Sequence, residues 1–82
     1  MDVIHDVSRH RFVVEIDGLQ CYAGYEIGGD SLCVVSTFVP KALEGRGIAS
    51  ALVGACNDYA KSQGLICNAT CSYAVAWLTR HR

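Results

Sequence analysis

The sequence predicts an α+β fold: an antiparallel three-strand meander, a central helix, a fourth strand parallel to the third and splayed from it, and a short C-terminal helix. Three observations carry this. Runs rich in β-branched residues between positions 12 and 39 are separated by Asp17-Gly18 and Gly28-Gly29-Asp30, both tight-turn signals. From Ile48 the apolar residues recur at helical spacing. Between the two patterns lies Glu44-Gly45-Arg46-Gly47-Ile48-Ala49, a glycine-rich link from strand to helix.

Residues 1–10 are polar and read as a short lead-in. Phe12 to Ile16 is the first strand. The second places Leu19, Cys21, Ala23, Tyr25 and Ile27 on one face, the period-2 pattern of a half-buried strand. Leu32 to Val39 is the third; it is more continuously apolar and therefore more central. Pro40 ends it, because proline cannot donate to a ladder. The helix runs from Ile48 to about Gln63, with Ile48, Leu52, Cys56 and Tyr59 on its apolar side and Gly64 as the residue after its cap. Leu65 to Ala69 is the fourth strand. Tyr73 to Thr79 is a short helix in which Tyr73 and Trp77 pair at i, i+4. A right-handed crossover through the central helix sets the fourth strand parallel to the third. Two such strands can splay at their C-terminal ends and open a cleft.

The chain has 82 residues, enough for a single domain spanning 1–82. Half of it is apolar and 18% is charged, which excludes a disordered segment. The formal net charge is −1, so no general attraction to nucleic acid or anionic membrane is expected. No apolar run approaches the ~20 residues that span a bilayer. Met1-Asp2-Val3-Ile4-His5-Asp6 is mixed and charged rather than a signal peptide, so the expected location is cytoplasmic. Cys21, Cys33, Cys56, Cys67 and Cys71 are odd in number, irregularly spaced and free of any C-x-x-C pair. That pattern argues against a disulfide framework and against a metal site. Most are expected to be small buried hydrophobes. Nothing asks for more than a monomer or a weak homodimer.

Strand, glycine loop, helix is the layout of an anion site. Glycine lets the backbone turn sharply and approach a ligand with no Cβ in the way. The first N–H groups of a helix have no partner inside it and favour a phosphate. The phosphate loop of NTPases is excluded, because Gly47 is followed by Ile48-Ala49 rather than by Lys-Ser or Lys-Thr. The dinucleotide fingerprint is excluded too, since its third glycine is missing.

Four segments in order resemble the GNAT superfamily of acetyl-CoA-dependent N-acetyltransferases, most closely its minimal single-domain branch. They are Thr37-Phe38-Val39-Pro40, Gly45-Arg46-Gly47-Ile48-Ala49-Ser50-Ala51-Leu52-Val53, Cys71-Ser72-Tyr73 and Arg80-His81. The resemblance covers most of the chain. It implies that the backbone N–H groups of Gly45, Arg46, Gly47, Ile48 and Ala49 hold the pyrophosphate of coenzyme A. It implies that the strand edge at Phe38 and Val39 pairs with the pantetheine amides, and that the thioester lies near Cys71. Three positions depart from the family pattern. Glu44 stands where Gln or Arg is usual, Ser36 where the minimal branch often has His, and Ser72 where it has Pro. Relatives often continue past the Arg-His pair, whereas this sequence ends at Arg82.

The resemblance implies an acetyl-CoA-dependent transfer of acetyl to an amine, such as a protein lysine or N-terminus. A tyrosine after the fourth strand protonates the departing thiolate in most of the superfamily, and Tyr73 matches that position; packing on Trp77 in the core is the competing reading. Cys71 precedes a helix, where a thiol pKa falls, and it is a candidate for an acetyl-cysteine intermediate. No base is adjacent: His81 is ten residues on, and His5 and His10 lie in the lead-in. Glu15 and Glu26 remain open as remote bases. The alternative function is a non-catalytic coenzyme A-binding or interaction module.

Overall fold

A computed structural model describes residues 1–81. Its strands are β1 (Ile4–Asp6), β2 (Arg11–Ile16), β3 (Leu19–Gly28), β4 (Ser31–Phe38) and β5 (Ile66–Ala69). The helices are α1 (Ile48–Ser62) and α2 (Ser72–Arg80), and single 3₁₀ turns occupy Val7–Arg9 and Lys41–Leu43. The sheet order is β1-β2-β3-β4-β5. The first three pairings are antiparallel and β4 pairs with β5 in parallel. The α+β class, the meander, the central helix and the parallel last strand are therefore as expected.

Local chemistry sets the boundaries. Asp17 and Gly18 both take positive φ, 54° and 75°, as a two-residue hairpin with the strands' own twist requires. Gly64 closes α1 with φ 70°. The Leu65 N–H bonds the Ala60 carbonyl at 2.8 Å and the Gly64 N–H bonds that of Lys61 at 3.1 Å. Those two bonds satisfy carbonyls that the helix end would otherwise leave unpaired.

The lead-in needs correction. Ile4–Asp6 is an edge strand, with His5 opposite Phe12. Three residues are too few to show a period. What fixes them is contact: the His5 ring stacks on Phe12 at 4.1 Å and meets Tyr59 edge-on at 4.4 Å. Leu19 and Ile27 also depart from expectation. Both sit beside turns at the ends of β3 and are exposed, while Cys21, Ala23 and Tyr25 between them are buried.

One sheet face is covered. Phe12, Val14, Cys21, Ala23, Tyr25, Leu32 and Val34 pack with Ile48, Leu52, Val53, Cys56 and Ala60 of α1 and with Ala74, Trp77 and Leu78 of α2. Each large side chain fully buried here contributes about 1.5–3 kcal/mol. The helices lock together where Trp77 donates its indole N–H to Ser50 Oγ at 2.8 Å. Gly54 faces the indole, and a Cβ there would make an ordinary contact at 3.4 Å from Trp77 Cζ2.

The register of β3 against β4 shifts once. Gly24 faces Ser36 and the next residue, Tyr25, faces Val34. Val35 is the extra residue of a β-bulge. Beyond it, Ala23 lies opposite Thr37 and Tyr22 opposite Phe38.

Candidate active site

β4 and β5 pair from Ser31 opposite Ile66 to Val34 opposite Ala69. The last links are the N–H groups of Thr70 and Cys71, at 3.0 and 3.4 Å from the Val34 carbonyl. After that the chain of β5 turns into α2, while β4 runs on to Phe38. The edge of β4 from Val35 onward is left without β5 beside it. A cleft of about 640 Å³ opens there, lined by Thr37, Phe38, Val39, Leu43, Glu44, Gly45, Gly47, Ala49 and Tyr73.

The loop forms one end of this cleft. Gly45 and Gly47 take φ of 83° and 78°, a conformation that side chains resist. A Cβ at either would meet nothing within 4 Å. The glycines are thus required by the backbone turn, and the space in front of them stays open to a ligand. Gly47 is the N-cap of α1 and supplies no side-chain cap. The first bond of the helix runs from the Ala51 N–H to the Gly47 carbonyl at 3.1 Å. The N–H groups of Ile48, Ala49 and Ser50 therefore have no helical partner. No acidic residue lies in the first turn. Such an end accepts an anion, and these residues fit a diphosphate.

The expected cofactor residues divide by role. Phe38, Val39, Gly45, Gly47 and Ala49 line the cleft. Ile48 is 2% exposed, its side chain in the core, so only its backbone is available. Arg46 is exposed on the loop. Glu44 lines the cleft beside the glycines and brings a negative charge to it.

Tyr73 is 37% exposed and faces the cleft, whereas Trp77 is buried. The expected packing of Tyr73 on Trp77 as a core pair does not occur; the indole stacks on His81 instead, with centroids 3.8 Å apart. Cys71 is the N-cap of α2, and its Sγ lies 3.1 Å from Thr37 Oγ1. Partial burial pushes the Cys71 thiol up. Hydrogen bonds from the Thr37 hydroxyl and from the backbone N–H groups of Ala74, Tyr73 and Thr37 outweigh this and bring it below the usual thiol range. Burial raises the Cys21 thiol and drives that of Cys56 up to about 12. Cys33 and Cys67 are half-buried rather than fully buried as expected.

The bases considered from sequence stand apart from the cleft. His5 is on β1, at the sheet edge opposite β5. His81 Nδ1 lies 2.8 Å from the Trp77 carbonyl. Glu15 faces Gln20, Glu26 faces Cys33, and both glutamates are exposed. Among the described residues no group of three or more His, Cys, Asp or Glu side chains is arranged to hold a metal ion, and no helix is long and apolar enough to cross a membrane. Thr37 stands out in the sequence only as part of a motif; its contact with Cys71 joins residues 34 apart and has no local signal.

A family model described as GCN5-related N-acetyl-transferase matches residues 11–82. No curated protein matches the chain.

Proposed function

The chain belongs to the GCN5-related N-acetyltransferase family, and from that premise we propose that it is an acetyl-CoA-dependent enzyme that acetylates an amine. One observation carries the reading. A single cleft joins the uncapped, glycine-led start of α1 to the point where β4 and β5 part, with Tyr73 on its wall and Cys71 beside Thr37.

Acetyl-CoA would supply the acetyl group as a thioester. The N–H groups of Gly45, Arg46, Gly47, Ile48 and Ala49 would hold its diphosphate at the positive end of α1. The free edge of β4 at Phe38 and Val39 would hold the pantetheine amides as an added strand does. Tyr73, on the cleft wall, would give a proton to the departing thiolate. Cys71, with its depressed pKa, is the nucleophile available to receive acetyl before the amine does. The acceptor must present a neutral amine, and a peptide lysine or N-terminus fits an open cleft.

Acetyl-CoA incubated with lysine-bearing and free-N-terminus peptides, with products read by mass spectrometry, tests this. Acetylated product is expected, and it should be lost in Gly47→Val and strongly reduced in Cys71→Ala or Tyr73→Phe. Coenzyme A binding with no acetylated product from any amine would select the non-catalytic binding module instead.

A further inference from the structure

We infer that Thr37 is the positioning residue for Cys71: across the gap where β4 and β5 part, its hydroxyl holds the sulfur at the head of α2, beside the cleft that Thr37 itself lines. The inference rests on the acetyltransferase reading for its purpose, though not for its geometry. Thr37 and Cys71 are 34 residues apart, and their Oγ1–Sγ separation is 3.1 Å. The last backbone link between the strands is the Cys71 N–H at 3.4 Å from the Val34 carbonyl, which ties the backbone of Cys71 to β4. The sulfur itself is met by the Thr37 hydroxyl.

The surroundings fit an anionic sulfur. The Thr37 hydroxyl lies 3.1 Å from the sulfur, and the sulfur stands at the start of α2. A hydroxyl facing a thiolate can only donate, which fixes its rotor. Thr37 thereby holds the sulfur in one place and in its reactive form. In the transfer, the Cys71 Sγ–acetyl carbon bond would form as the thioester C–S bond breaks, its electron pair leaving on the departing sulfur. The amine nitrogen would then bond to that carbon as the Sγ–carbon bond breaks. Sγ regains its electron pair and its hydrogen bond from Thr37, and the ammonium proton passes to solvent.

The test reads Cys71 without needing turnover. The rate of iodoacetamide alkylation at Cys71, resolved by peptide mass spectrometry, is followed against pH for the free protein. Thr37→Val keeps the shape and removes the hydroxyl. It should move the midpoint up by about one pH unit, the effect of losing one hydrogen bond to a charged group, and slow alkylation about tenfold below the midpoint. Thr37→Ser should restore the wild-type profile. An unchanged profile in Thr37→Val, or no rescue by Ser, overturns the inference. If Thr37→Val does not fold, Thr37→Ala is read in the same way. Acetyl transfer by the wild type is measured separately. A shifted profile without transfer sinks the acetyltransferase reading and leaves Thr37 its hold on the sulfur; transfer with no shift does the reverse.

Discussion

His5 Nε2 lies 2.6 Å from the Tyr25 hydroxyl, although β1 and β3 are not neighbours. The imidazole reaches over β2 by stacking on Phe12. Burial lowers the His5 pKa from its ordinary value, against an opposing pull from Asp6. The folded protein thus prefers neutral His5 more than the unfolded chain does. Its contribution is present above the unfolded value of about 6.5 and is lost as pH falls through the lower folded value. The melting temperature should drop between about pH 7 and 5, and His5→Phe should flatten that slope. An identical slope in the variant would remove His5 as the cause.

Coenzyme A should stabilise the protein strongly. Ligand at about 100 times its Kd adds roughly 2.7 kcal/mol, and in a domain this small each kcal/mol is worth about 4–8 °C. A rise of about 10 °C or more is expected in a thermal melt, with much smaller effects from NAD and ATP. An equal response to all three would defeat specificity.

Gly47→Val should abolish that shift. At φ 78° a β-branched residue costs about 1–2 kcal/mol or more, and its side chain would stand in the open approach to the α1 N-terminus. Arg46→Ala should weaken binding modestly, because the backbone donors remain. Normal binding by a folded Gly47 variant would place the phosphate site elsewhere.

Glu44→Gln should tighten coenzyme A binding. The carboxylate lines the same cleft as Gly45 and Gly47, so it opposes an anionic ligand. A gain of about three- to tenfold in affinity is expected at low salt, shrinking as salt screens the charge. Weaker binding in the variant would show that Glu44 acts as a hydrogen-bond acceptor there.

Limiting iodoacetamide at neutral pH should label Cys71 first. Its thiol is lowered, while those of Cys21 and Cys56 are raised by burial. Bound coenzyme A should protect it. Preferential labelling of another cysteine, or no protection by the ligand, would contradict the placement of the thioester.

The elements that were legible in the sequence are those whose signal is local. Asp17-Gly18 marks a turn because two positive φ values are needed there, and Ile48 to Tyr59 marks a helix because three successive turns repeat the helical spacing. The loop was legible for the same reason: Gly45 and Gly47 are required by their own backbone angles. What escaped depends on distant partners. β1 exists because His5 finds Phe12, Tyr25 and Tyr59, and three residues cannot announce that. Thr37 meets Cys71 through tertiary geometry, and Tyr73 takes the cleft because Ser50 and His81 already hold Trp77. A bulge leaves no mark in composition, so Val35 read as one more apolar residue of a central strand.

That extra residue has an outcome for insertions and deletions. Val35 has no partner of its own in β3, so its removal would leave Val34 opposite Tyr25, Ser36 opposite Gly24 and Thr37 opposite Ala23, in unbroken alternation. Drawn out flat with every residue kept, the same strand would set Val35 opposite Gly24, and Thr37 would pass to the outer face opposite Tyr22. The loop glycines would be unaltered, yet the hydroxyl would leave the sulfur. β4 can therefore lose a residue at the bulge and keep its site, whereas it cannot pair every residue it has and do so.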